Sequence, residues 1–231
     1  MNALELTRSL LADSLLWTHP QFPFQVQVEP GLPHVLLIAG ENGTGKSLLA
    51  QSLTGWGRRH HKISGVSVSI RERTGAGLNE MAAMRRVMMF GDESEQSTGA
   101  TSAMVIETAF RTLKTRAQEG SSAFLVLDEP EMGLSRGYTF AMGAYLAKLI
   151  RDLDAGACGV AIVTHSRDLT TALIEQLGAR PSFLKTGESQ GFDEWLKAEP
   201  ARTVEELLAL PMRCHDNRRK VAAVLKASRG G

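Results

Sequence analysis

The residues most able to do chemistry in this sequence form a glycine-rich segment, GENGTGKS, at positions 40–47. The segment matches G-x-x-x-x-G-K-[ST] without a mismatch. Its glycines let backbone N–H groups turn inward around an anion, and a following helix favours negative charge. Lys46 can reach the β- and γ-phosphates of a nucleotide, and the Ser47 hydroxyl can bind Mg²⁺. The predicted nucleotide-binding residues of the segment are Gly40, Asn42, Gly43, Thr44, Gly45, Lys46 and Ser47.

A second group of reactive side chains ends an apolar run, FLVLDEP, at positions 124–130. Asp128, at the carboxyl end of this predicted strand, can hold Mg²⁺ across from Ser47. Glu129 lies one residue further on and can polarise an attacking water. The alternative interpretation is an acidic cluster that favours the dipole of the next helix. Two acids at the end of an apolar strand, downstream of a complete glycine-rich pattern, favour the catalytic interpretation.

A histidine ends a third apolar run, AIVTHS, at positions 161–166. One predicted helix separates this run from the strand that ends near Asp128. The carboxyl ends of adjacent parallel strands meet at one ligand crevice. We therefore expect His165 to reach a γ-phosphate, although a lone histidine after a strand is more often a surface residue.

The elements that must position these side chains alternate along the chain. Strands are predicted at 24–30, 34–40, 62–73, 87–90, 122–130, 159–166 and 181–187. Helices are predicted at 3–16, 47–56, 78–86, 99–118, 137–153 and 167–177. This alternation predicts an α/β sandwich with a mainly parallel central sheet and a small antiparallel edge at 24–30. Residues 1–190 are predicted to form this domain, and residues 191–231 a helical appendage with a basic tail.

Composition bears on the compartment of the protein and on membrane insertion. The 231 residues include 43% hydrophobic and 22% charged residues, and the formal net charge is +1. The two cysteines lie far apart with no Cys/His cluster, which favours free thiols in a reducing compartment. No secretory signal and no apolar run of membrane-spanning length is evident. We therefore expect a cytoplasmic protein without direct membrane insertion.

The three motifs together resemble the ATP-binding-cassette (ABC) class of P-loop ATPases. Within that class, DEPExGL at 128–134 is similar to the non-transport branch. That branch includes the SMC and RecF-type DNA-repair ATPases and bacterial and phage "AAA family" defence ATPases. The resemblance covers residues 24–187 and implies a homodimer with two ATP molecules between its protomers. It also implies that Glu129 is the catalytic base and that His165 senses the γ-phosphate.

Such a dimer needs a signature segment that meets the ATP of the partner, and EQSTGATS at 95–102 is the candidate. Ser97 would donate its hydroxyl, and the Gly99 backbone would face the γ-phosphate. A Ser/Thr-rich helix N-cap is the competing interpretation. The segment keeps only the Ser-x-Gly core of the usual LSGGQ, GDESE at 91–95 replaces a glutamine loop, and Ser135 replaces an aspartate. The helical subdomain of the class is strongly reduced.

We therefore predict an ATP phosphohydrolase that uses ATP and Mg²⁺ and drives or switches a second effector protein. The resemblance implies a role in DNA repair or processing, or in antiviral defence. Residues 211–231 carry six Lys or Arg and one acid, so this tail is a candidate nucleic-acid contact.

Three alternatives stay open. A transporter's ATP-binding subunit would need the missing glutamine loop, and a P-loop kinase would need an arginine-rich lid. Ser135 and the degenerate signature favour a non-hydrolysing scaffold, which Glu129 opposes. The adenine-stacking residue is also open: Trp17, Phe22 and Phe24 are candidates, with core packing as the competing role for each.

Overall fold

A six-stranded sheet forms the centre of the protein. The computed structural model describes residues 1–69, 98–153, 156–187, 190–197 and 201–227, with the backbone alone at 98–100. The strands are β1 (Val26–Glu29), β2 (Leu32–Gly40), β3 (Ser64–Val68), β4 (Ala123–Asp128), β5 (Gly159–Val163) and β6 (Pro181–Thr186). Their order is β1-β6-β2-β5-β4-β3, and every neighbouring pair is parallel except β1 with β6. The predicted α/β class, the mainly parallel sheet and the antiparallel edge are confirmed.

Helices alternate with the strands. They are α1 (Ala3–Asp13), α2 (Lys46–His61), α3 (Thr98–Gln118), α4 (Arg136–Arg151), α5 (Arg167–Leu177), α6 (Phe192–Lys197) and α7 (Val204–Ala227). The predicted helix at 78–86 and strand at 87–90 lie outside the described residues. Within the described residues, no helix has the length and apolar character that crossing a membrane requires.

Several predicted boundaries were wrong for identifiable reasons. The strand predicted at 122–130 ends at Asp128, because Glu129 adopts a left-handed backbone conformation. The helix predicted to end near Trp56 continues to His61, and the Trp56 ring stacks on His60 with centroids 3.8 Å apart. Stacking between residues four apart supports the extra helical turn. The C-terminal helical pieces are largely one helix, α7, which continues through Pro211.

Both faces of the sheet are buried. On β4, Phe124 and Val126 belong to the core beneath α1 and α2, whereas Leu125 and Leu127 belong to the core beneath α3, α4 and α5. This alternation follows from the two-residue period of side chains on a strand. Coverage on both faces explains why the central strands are apolar throughout.

The neighbouring strands β2 and β5 send the chain to opposite faces of the sheet. β2 leads into α2, whose Leu49 and Leu53 lie in the first core, whereas β5 leads into α5, whose Leu169 and Leu173 lie in the second. The two connections diverge beyond the carboxyl ends of the strands and leave a crevice between them. Crevices of this kind are where open α/β sheets bind ligands.

Candidate functional site

The loop at residues 40–47 (the 40–47 loop) joins β2 to α2 at this crevice. Gly45 caps α2 with φ 91°, in the left-handed region. A Cβ on Gly45 would come within 2.7 Å of the Phe24 ring, so glycine is required by both conformation and space. Among the described residues, none accepts a hydrogen bond from the backbone N–H of Gly43, Gly45 or Lys46. The loop therefore presents a set of donors suited to an anion.

Lys46 is held inside this loop. Its side chain is buried at 7% exposure, and Nζ donates to the carbonyl oxygens of Gly40 at 3.0 Å and Glu41 at 2.9 Å. Burial lowers the pKa of Lys46 to about 8, and the nearby carboxylates of Glu129 and Asp128 oppose this change. The ammonium group is thus largely charged at neutral pH, and an additional anion beside it would stabilise that charge.

Thr44 fixes the shape of the loop. Its Oγ1 donates to the Glu41 carbonyl oxygen at 2.8 Å and lies at the same distance from Oγ1 of Thr186 at the end of β6. Thr44 belongs to the predicted binding segment, and its contact with Thr186 joins the loop to the end of β6. Its role in this structure is to anchor the loop to the sheet.

The two predicted magnesium-binding residues lie together. Ser47 Oγ donates to Asp128 Oδ2 at 3.2 Å, which joins the start of α2 to the end of β4. Magnesium typically takes one or two protein oxygen ligands and completes its octahedral shell with phosphate oxygens and water. In the described part of the chain, no cluster of three or more His, Cys, Asp or Glu residues could hold a metal. Because phosphate oxygens and water would complete the shell, the oxygens of Ser47 and Asp128 fit a magnesium ion delivered with a phosphate ligand.

Glu129 has an unusual backbone conformation. Its φ is 49°, and its N–H donates to the Val163 carbonyl oxygen of β5 at 2.8 Å. A left-handed conformation costs a residue with a Cβ about 1–2 kcal/mol. Such strained residues cluster at active sites. Here Glu129 lines the pocket beside the 40–47 loop.

His165 and Glu129 come together as the sequence predicted. His165 Nε2 lies 3.3 Å from Glu129 Oε1. The pair lacks hydrogen-bond geometry, and within the described residues this buried Nε2 has no hydrogen-bond partner. A buried polar atom of this kind is costly unless a ligand or water satisfies it.

Glu131 is a residue that the sequence analysis missed, although it is part of the quoted motif DEPExGL. Its Oε1 accepts hydrogen bonds from Thr164 Oγ1 and from the His165 backbone N–H. Burial raises the pKa of Glu131. The side chain ties the turn after β4 to the end of β5, so Glu131 positions the backbone of His165. The third acid of the motif, Glu131 itself, was the available signal in the sequence.

The C-terminal helix α7 lies over the 40–47 loop, which the sequence analysis also missed. Asn217 Nδ2 donates to the Gly43 carbonyl oxygen at 3.0 Å, and Arg213 Nη2 to that of Asn42 at 3.5 Å. Ahead of the helix, Arg202 forms an ion pair with Glu41 at 3.0 Å. Burial acts to raise the pKa of Glu41, but the hydrogen bond and charge of Arg202 hold it below its ordinary value.

A pocket of about 540 Å³ lies between α7 and the loop. Its lining includes Lys46, Ser47 and Glu129 as well as side chains of α7. The three candidate stacking residues form an edge-to-face series, with centroids 4.7 Å apart for Trp17 and Phe22 and 5.5 Å for Phe22 and Phe24. Phe24 alone of these three lines the pocket.

The predicted signature is only partly described. Gly99 lies in the first turn of α3, and Ser97 and GDESE at 91–95 lie outside the described residues. The signature assignment stays a prediction.

The sequence was also compared with known proteins. No family model matches this chain, and no curated protein matches it. The functional conclusion therefore depends on the motifs and on the geometry of the site.

Proposed function

We propose that this chain binds Mg-ATP in the pocket beside the 40–47 loop and hydrolyses it to ADP and phosphate. One observation carries the proposal: two functional pairs meet beside the loop, one between the start of α2 and the end of β4 and the other between the residues that follow β4 and β5. Ser47 and Asp128 are 3.2 Å apart, and Glu129 and His165 are 3.3 Å apart. Together they provide for cation binding, water activation and phosphate contact.

The loop would hold the phosphates through its inward donors. The N–H groups of Gly43, Gly45 and Lys46 suit the β-phosphate, at the positive end of α2. Lys46 would exchange its contacts with the two loop carbonyls for phosphate oxygens. Because its burial disfavours the isolated charge, pairing with phosphate is especially favourable.

Ser47 and Asp128 would hold Mg²⁺, Ser47 through its hydroxyl and Asp128 directly or through water. The ion would neutralise part of the phosphate charge. No additional protein ligand is needed when phosphate oxygens of the nucleotide and water complete the coordination shell.

Hydrolysis would use Glu129 to accept a proton from the attacking water. The water oxygen forms a bond to the γ-phosphorus while the bond to the β–γ bridging oxygen breaks, and ADP leaves with that electron pair. His165, beside Glu129, would contact the γ-phosphate, and Lys46 would stabilise its developing charge. The strained turn at Glu129 and the Glu131 contact to His165 hold both groups in place.

The homodimer and the effector belong to the proposal through the resemblance alone. Two chains would enclose two ATP molecules, with Ser97 and Gly99 of each chain facing the nucleotide of the other. Light scattering of Glu129→Gln with Mg-ATP tests this, and Ser97→Arg should block the dimer. A constant mass with ATP bound would contradict homodimer formation. The proposed output is control of a second protein in DNA processing or antiviral defence.

The decisive experiment on the proposed activity is calorimetric titration with Mg-ATP together with a phosphate-release assay. Lys46→Ala should weaken binding by about tenfold or more, because a charge-assisted contact is lost. The matched control is Lys148→Ala, an exposed lysine on α4. Unchanged binding by Lys46→Ala would refute the loop assignment, and absence of ATP binding by the wild type would refute the function.

A further inference from the structure

We propose that α7 is the roof of the nucleotide pocket within the same chain, and that its apolar side chains bind the nucleoside. Val221 and Leu225 would cover the base and ribose opposite Phe24, and Arg218 would add positive charge beside the phosphates. The inference rests on the proposed function. It adds a nucleoside-binding element, which none of the three phosphate-site motifs provides.

The way α7 contacts the loop favours this role. Asn217 and Arg213 donate to the carbonyl oxygens of Gly43 and Asn42. These contacts use the outward-facing acceptors of the loop and leave the N–H groups of Gly43 and Gly45 available. The helix therefore secures the loop without occupying its anion-binding donors.

A stripe along α7 identifies its inner face. The least exposed residues recur every three or four positions along the helix, and they are Leu210, Cys214, Asn217, Val221 and Val224. This spacing places them on one side of the helix. Cys214 lies so close to the loop that a Cβ on Gly43 would come within 2.7 Å of its Sγ. The docked position is thus consistent with the sequence pattern of the helix.

The space beneath α7 suits a nucleoside. The cavity of about 540 Å³ lies within the range of about 300–1,000 Å³ for small-molecule sites, so the docked helix leaves room for a ligand. Its lining includes both apolar and polar residues. Val221, Leu225 and Phe24 provide an apolar region that suits a flat base, whereas Lys46 and Ser47 provide the polar region.

Arg218, a residue of the basic tail, would contribute to nucleotide binding within the same chain. It lines the same cavity, and Arg213 lies beside the loop. These positive charges complement a triphosphate, which carries several negative charges. The sequence analysis considered nucleic acid for this charge, and the position of Arg218 favours nucleotide instead.

The first test compares two ligands, Mg-ATP and Mg-tripolyphosphate, by calorimetry. The double variant Val221→Ser/Leu225→Ser should bind ATP about tenfold more weakly, because it loses apolar contacts with the nucleoside. Its affinity for tripolyphosphate, which has no nucleoside, should match that of the wild type. The control is Leu208→Ser, at a residue of α7 that is 73% exposed and outside the cavity. Thermal melting checks that each variant folds.

A second test needs no substitution in the roof. Cys158 is buried and its pKa is raised to about 11, so a maleimide at pH 7 should label Cys214 selectively. Mg-ATP should slow the labelling of Cys214 about fivefold or more by holding α7 on the loop. The effect should disappear in Lys46→Ala.

The outcomes separate this inference from the proposed function. No ATP binding by the wild type overturns both. Lys46-dependent ATP binding that is equal in the wild type and the double variant overturns the roof alone. Tighter ATP binding by the double variant, or faster labelling of Cys214 with ATP, would show that α7 competes with nucleotide and would also overturn it. Equal losses of ATP and tripolyphosphate affinity would contradict a nucleoside contact.

Discussion

The 40–47 loop and α7 meet at one pocket but are held by different forces. The loop is continuous with β2 and α2 and contains a nearly buried lysine, Lys46. By contrast, α7 is exposed along most of its length, and Val224 is its one buried residue. Polar contacts with the carbonyl oxygens of Asn42 and Gly43 attach it to the loop.

This difference in attachment suits two separate tasks, catalysis at the loop and covering of the pocket by α7. The proposed chemistry would belong to elements whose backbone is fixed by the sheet, because reacting groups must keep their geometry before substrate arrives. The roof is an element with little buried apolar surface, and such elements open at low free-energy cost. In the proposed function, a weakly held roof would allow nucleotide to enter and ADP to leave.

The largest effect should come from Glu129→Gln. The amide cannot accept the proton of the attacking water, so we expect ATP turnover to fall by about 10²–10⁴-fold while ATP binding persists. Phosphate release and calorimetry on the same samples measure the two properties. Labelling of Cys214 should still respond to ATP, because α7 is intact. Undiminished turnover would remove Glu129 from the mechanism.

The second effect concerns pH. The pKa of Lys46 is about 8 in the free chain, and a bound triphosphate should raise it. Binding therefore favours the protonated lysine, and ATP affinity should fall by up to about tenfold per pH unit as pH rises above 8. Below pH 7 this contribution should be constant. Lys46→Arg keeps its charge at these pH values and should show a flatter profile. Parallel profiles for the two proteins would contradict this assignment.

A smaller effect should come from the strained turn. Glu129→Gly removes the Cβ from a residue with φ 49°, and the free energy of unfolding should rise by about 1 kcal/mol. Glu129→Ala keeps the Cβ and should gain nothing from the backbone. Urea denaturation of both variants measures the difference. Equal stability of the two would show that the turn stores no such strain.

The smallest effect should come from the attachment of α7. Asn217→Ala removes the hydrogen bond to the Gly43 carbonyl oxygen, with a net cost of about 1 kcal/mol. The helix should then leave the loop more often, and Cys214 should label about fivefold faster without nucleotide. Arg219→Ala, at an exposed neighbour, is the control. Identical rates in the two variants would mean that this contact does not hold α7.

Much of the site could be predicted because its chemistry is local in sequence. The loop pattern fixes the order of its donors, and the apolar strands place Asp128 and His165 at one edge of the sheet. The structure brings Ser47 to Asp128 and Glu129 to His165 as expected. The contact of Glu131 with His165 was not predictable from local pattern, because it joins the ends of two strands.

The sequence alone determined the alternation of strands and helices, the glycine-rich loop and the acids that follow β4, since propensity, burial pattern and local spacing specify all three. The position of α7 over that loop follows only from long-range packing. Residues 191–231 were predicted to be a helical appendage, and no local pattern could place α7 on the loop, because the contacts that hold it there join residues far apart in sequence. Their hydrogen bonds go to backbone carbonyls, which every residue type carries. Because a backbone carbonyl does not depend on residue type, the residues that accept these hydrogen bonds cannot be recognised from the sequence.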